Sequence, residues 1–193
     1  NRMKSYCQRD SFLIFGAPAI EDAEIAEVVS VIRSGWIGTG PRVAAFERDF
    51  QSYKGAPHAV AVNSATAALH LSFIAAGLKQ GDEVITTANT FCATVNAIIH
   101  TGATPVLVDI DPITCNIDVS RIEEAITERT RAICPVHYAG LPCEMDEIEK
   151  LARKYGLQII EDCAHAIETR YKGRQAGTIG DFGCFSFYVT KNV

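Results

Sequence analysis

From residue 59 to residue 187 the chain alternates short apolar runs with helix-like stretches, and that alternation restricts the fold more than any other feature. The runs are Ala59–Val62, Glu83–Thr86, Pro105–Asp109, Ala132–Val136, Leu157–Ile160 and Cys184–Phe187. Thr66–Ala76, Ala93–His100, Val119–Ile126 and Met145–Tyr155 lie between them and read as helices. The runs are too apolar to leave one face in water, which is the pattern of parallel strands covered on both faces. The expected architecture is α/β: a three-layer α/β/α sandwich with a mostly parallel sheet. Tyr171–Arg174 reads as a turn between two short strands.

Two helices precede the alternation. Ile25, Val28, Val29 and Ile32 recur at three- and four-residue steps, which predicts a helix over Glu21–Ser34 with Gly35 beyond its end. Pro41 suits the first position of a second helix reaching about Tyr53, with Val43, Phe46 and Phe50 on one side. No linker or repeat divides the chain, so residues 1–15 read as an N-terminal segment and 16–193 as one domain.

The totals exclude several classes. A net charge of −5 gives no basic footprint for nucleic acid. No apolar run approaches the roughly 18 residues of a membrane span. Asn1–Lys4 lacks a signal-peptide pattern. Seven cysteines, with no C-x-x-C pair, read as reduced thiols of a cytoplasmic protein rather than a zinc ribbon or a redox motif. No metal site is expected: His58, His70, His100 and His137 show no ligand spacing.

In an open parallel sheet, ligands gather at the carboxyl ends of strands. The residues with chemical potential fall there, and each has a bland reading beside the chemical one. Asn63-Ser-Ala-Thr-Ala67 opens a helix after an apolar run; Ser64 reads as a plain N-cap, or the free N–H groups read as an anion site. Phe91 reads as core packing or as a flat face for a ring. Asp162 ends a strand, as a helix cap or as a buried counter-ion for a protonated pyridine nitrogen. His165 is a structural histidine, or it reaches the edge of such a ring. Lys191 is a solvated cation, or an amine beside apolar neighbours that can attack a carbonyl. Ser186 then faces the same side, where it can hold phosphate. Cys163, beside Asp162, reads as packing.

Taken together, these residues resemble the DegT/DnrJ/EryC1/StrS group of pyridoxal-phosphate sugar aminotransferases. The stretches that carry the resemblance are Gly35-Trp-Ile-Gly-Thr-Gly-Pro41, Phe46-Glu47, Asn63–Leu69, Gly81–Ile85, Thr90-Phe91, Asp109–Asp111, Glu161–Ala166, Gly180-Asp181, Phe185–Phe187 and Lys191. The resemblance implies the large domain of a fold type I enzyme with pyridoxal 5'-phosphate as cofactor. Lys191 would link to the cofactor as an imine, Asp162 would pair with the pyridine nitrogen, and His165 would approach the ring oxygen. Phe91 would stack on the ring, and Ala65, Thr66, Ala67 and Ser186 would hold the phosphate. An amino donor, glutamate, would displace Lys191, which then moves the proton, and a nucleotide-linked keto-sugar would receive the amine.

The chain departs from the family at Ala65, where many relatives carry glycine, and at His165, often glutamine. Lys191 argues against the branch that replaces this lysine with histidine and dehydrates its sugar. Relatives are also much longer, with a second, smaller domain, and form homodimers with the site at the interface. That difference leaves a second expectation, a non-catalytic scaffold of the same fold that binds a nucleotide sugar or a partner chain.

Overall fold

Every residue of the strand β1 (Glu83–Thr87) is buried, so this strand is central to the fold. The computed structural model describes residue 12 and residues 18–191. The expected N-terminal segment 1–15, Phe12 apart, and the boundary at residue 16 lie outside the described residues. β1 pairs with β2 (Thr104–Val108) on one side and β3 (Thr130–Ile133) on the other. β3 pairs with β4 (Gln158–Cys163), and β4 with β7 (Phe182–Phe185). The order β2-β1-β3-β4-β7 is parallel throughout. Because β1 is followed by β2 on one side and β3 on the other, the connections reverse direction at β1. That reversal opens a crevice at the carboxyl ends.

Alternation along the strands feeds two cores. Val84, Ala132, Ile160 and Cys184 pack with Leu69 and Phe73 of the helix α3 (Ala65–Ala75) and with Ala97 and Ile98 of α4 (Cys92–His100). Ile85, Ile133 and Ile159 point the other way, against Met145 and Ile148 of α5 (Met145–Tyr155). The result is the three-layer arrangement expected of the alternation. β5 (Arg170–Tyr171) and β6 (Arg174–Gln175) form an antiparallel ribbon. Its turn holds Lys172 and Gly173 at φ 49° and 85°, the mirror-image turn favoured in two-residue hairpins.

Four expectations change. Ala59–Val62 is not a strand: the Ala61 N–H donates to Glu47 Oε1 at 2.8 Å instead of to a neighbouring strand. Val119–Ile126 is not one helix but two 3-10 turns, Val119–Arg121 and Glu123–Ala125. There Asp118 accepts from both the N–H and the hydroxyl of Ser120, a local bond that favours a turn. The third strand stops at Ile133 because Pro135 has no N–H to continue the ladder; a single bridge, Val136 to Asp162, extends its line. The last strand is Phe182–Phe185 rather than Cys184–Phe187, since Phe185 already faces Cys163, the end of β4. Ser186 and Phe187 therefore project beyond the sheet.

The helix α1 (Asp22–Ser34) forms, but no residue of it is buried. Ile25, Val28, Val29 and Ile32 all stand exposed. Its link to α2 (Pro41–Lys54) includes Arg42, which pairs with Glu27 at 3.0 Å. In the turn between them the Trp36 indole donates to the Thr39 carbonyl at 2.9 Å. A Cβ on Gly40 would lie 2.0 Å from Trp36 Nε1, so a larger residue there would displace the indole from this turn.

Candidate active site

Asp162 enters the site from β4, with its side chain turned toward α4 and only 5% of the residue exposed. Its Oδ2 accepts from the Thr94 hydroxyl at 2.7 Å, and its Oδ1 accepts from the Ala164 N–H at 3.1 Å. The backbone is fixed as well: the Asp162 N–H donates to the Pro135 carbonyl, and the His137 N–H donates to the Asp162 carbonyl. A carboxylate so held has one orientation and retains acceptor capacity on each oxygen.

Thr94 is a residue that the sequence did not single out. It lies in the first turn of α4, three residues after Phe91, where a helix entering from β1 faces the neighbouring strand ends. Thr94 and Thr90 hydroxyls lie 2.6 Å apart. With the single Thr94 proton directed to Asp162, Thr90 donates to Thr94. This relay ties the loop that carries Phe91 to the carboxylate. The Asn89 amide donates to the Cys115 carbonyl at 2.9 Å and steadies the same loop.

Phe91 is 76% exposed, which removes the core-packing reading and leaves an open aromatic face at a strand end. At α3 the N-cap reading of Ser64 holds: its hydroxyl accepts from the Ala67 N–H at 3.1 Å. Ala65 and Thr66 occupy the first turn, whose N–H groups have no carbonyl within the helix to bond.

Beyond β7 the chain turns at 188–191, where the Lys191 N–H donates to the Tyr188 carbonyl at 2.8 Å. The Ser186 hydroxyl accepts from the Tyr188 N–H at 3.4 Å. His165 lies exposed, its ring edge-on to Tyr138 at 6.4 Å. Partial burial first, and then the Lys191 cation, push the His165 pKa down, while the Asp162 charge opposes them. His165 thus feels both the Lys191 and the Asp162 charge. A separate apolar groove of about 330 Å³, lined by Phe46, Phe50, Tyr53 and Phe187, lies beside α2.

Cys163 is a packing residue: it is buried, and burial pushes its thiol well above the ordinary range. Burial raises Cys143 and Cys184 to about 12. The six described cysteines are unpaired, and Cys92 is the exposed one. Titration of the native protein with a thiol reagent is therefore expected to modify Cys92 rapidly and Cys163 and Cys134 only on unfolding, as peptide mapping would show.

The family model of the DegT/DnrJ/EryC1/StrS aminotransferases matches residues 18–193. The spore coat polysaccharide biosynthesis protein SpsC of Bacillus subtilis is 52% identical over 186 residues, 96% of this chain and 48% of that protein. Among solved structures, a Streptococcus pneumoniae protein assigned as a sugar aminotransferase, in its PLP form, superposes with a TM-score of 0.88 at 41% identity, covering 93% of this chain and 50% of that one. DesI, solved in the presence of its TDP-sugar product, gives a TM-score of 0.86 at 42% identity, over 93% of this chain and 46% of that one. The chain thus spans about half the length of the curated relatives it matches. With these relatives and this fold, the chain belongs to the DegT/DnrJ/EryC1/StrS aminotransferase family.

Proposed function

We propose that the protein is a pyridoxal-phosphate-dependent aminotransferase that moves an amino group from glutamate to a nucleotide-linked keto-sugar. The observation that carries this reading is the Asp162 carboxylate, buried at a strand end and held by Thr94 and the Ala164 N–H.

The residues present suit the cofactor. Asp162 offers a fixed anion for the pyridine nitrogen, and Phe91 an open face for the ring. His165 would bond the ring oxygen. The first turn of α3, Ala65, Thr66 and Ala67, with Ser186, offers donors for the phosphate; Ala67 would exchange its bond to Ser64 for one to the ligand. When bound, the cofactor draws electrons from the substrate carbon that loses its proton. Asp162 sustains that pull by keeping the nitrogen protonated. Lys191 would hold the cofactor through its Nζ, and the same amine, when free, would serve as the base and acid that moves the substrate proton.

SpsC's part in polysaccharide biosynthesis and the TDP-sugar product of DesI support the substrate class. The exposed apolar stripe of α1 supports a homodimer. Among the described residues no helix is long and apolar enough to cross a membrane, and a cytoplasmic location fits the unpaired cysteines.

Incubation of the protein at its natural full length with the cofactor, glutamate and a keto-sugar nucleotide tests the proposal. An amino-sugar nucleotide, formed with 2-oxoglutarate, is the expected product. Binding of the sugar nucleotide without any turnover would instead support the scaffold reading.

Thr94 provides a smaller test. Thr94→Val removes one hydrogen bond to a charged group, which contributes about 1.5–3 kcal/mol. Cofactor affinity should fall by about 10- to 100-fold. Thr94→Ser should restore most of it, as measured by absorbance titration.

A further inference from the structure

Glu161 precedes Asp162 on β4, and its side chain is completely buried. Oε2 accepts from His137 Nε2 at 2.9 Å and from the Gly177 N–H at 2.8 Å. Oε1 accepts from the N–H groups of Ile179 at 2.8 Å and Gly180 at 2.7 Å. His137 Nδ1 accepts from the Cys143 N–H at 3.1 Å, so the ring proton is on Nε2 and the imidazole is neutral.

Three of these four donors are consecutive or near-consecutive backbone groups of the loop 177–180, which leads into β7. The loop lies directly on that strand. A Cβ at Gly183 would stand 2.1 Å from the Gly177 carbonyl oxygen, and a Cβ at Gly177 2.2 Å from Phe185 Cζ. Any displacement of the loop is therefore passed to Gly183 and Phe185, immediately before Ser186 and the turn carrying Lys191. The Asp162 side chain has other partners, on the other face of β4: Thr94 and the Ala164 N–H.

We propose that Glu161 is a positioning residue for Lys191: its carboxylate fixes the loop 177–180, and through it the end of β7, so that the lysine amine meets the cofactor aldehyde while Asp162 holds the ring independently. The proposal rests on the assignment of Lys191 as the linking lysine.

Two ligands separate the two ends of the site. Pyridoxal phosphate condenses with the Lys191 amine, forming a carbon–nitrogen double bond and releasing one water. Pyridoxamine phosphate already carries an amine at that carbon and cannot. In Glu161→Gln, whichever way the amide turns, an NH₂ replaces an oxygen that accepted two bonds, so two donors face a donor.

Dissociation constants for both ligands are to be measured on the protein at its natural full length, in wild type, Lys191→Ala and Glu161→Gln. The expected result is that Glu161→Gln weakens pyridoxal phosphate about 10- to 100-fold more than pyridoxamine phosphate, the scale of an ångström-level misplacement of a reacting group. Glu161→Asp keeps the charge but is one methylene short, and should give a smaller change in the same ratio. It supplies the measurement if Glu161→Gln does not fold. Equal weakening of both ligands, or an unchanged ratio in Glu161→Asp beside a folded wild-type control, would show that Glu161 only stabilises the fold and would overturn the proposal. If wild type and Lys191→Ala already share one ratio, the lysine assignment fails, and this inference with it.

Discussion

Lys191→Ala is expected to end covalent capture of the cofactor and to lower transamination by about 10⁴-fold or more. Two effects combine. The anchoring bond is lost, and so is the amine that moves the proton, a role that alone contributes about 10²–10⁴-fold. The fold should survive: Lys191 lies in a surface turn after β7, and its own backbone bond to Tyr188 does not need the side chain. Steady-state kinetics and circular dichroism on the same preparation distinguish lost chemistry from lost structure. Near-normal turnover by Lys191→Ala would remove the central chemical role assigned to this residue.

Asp162→Asn is expected to lower turnover by about 10²–10³-fold while leaving the apo-protein at least as stable as wild type. Breaking a desolvated ion pair costs about 3–5 kcal/mol, and each 1.36 kcal/mol on the barrier is a factor of ten. The amide has nearly the same shape: with its oxygen toward the Ala164 N–H, its NH₂ faces Thr94, whose hydroxyl can accept from it. What disappears is the charge proposed to keep the pyridine nitrogen protonated. In the apo-protein that charge is buried and its desolvation is costly, so neutralising it should not lower the melting temperature. A drop in melting temperature as large as the drop in activity would assign Asp162 a role in folding instead.

Much of this arrangement could be read along the chain. Apolar runs with no wet face announced the parallel sheet, and the strand ends then located Asp162, Phe91 and Lys191. The parts that could not be read are those set by distant partners. Thr94 meets Asp162 across 68 residues of sequence. Glu161 looks like half of an acidic pair, and its role depends on three backbone N–H groups and on His137, none of which has a sequence signature. Pro135 illustrates the opposite case: the residue itself signals the end of the β3 ladder, but the apolar run around it hides the break. α1 shows the limit of periodicity. Ile25, Val28, Val29 and Ile32 do share a stripe, yet a stripe does not say what covers it, and here it is exposed.

The most direct test of the Lys191 assignment is to reconstitute the full-length protein with pyridoxal phosphate, reduce it with borohydride, digest it and locate the modified residue by mass spectrometry. A single stable adduct on Lys191, absent from Lys191→Ala, is the predicted result. An adduct on another lysine, such as the buried Lys54, or no adduct from a folded protein, would contradict it.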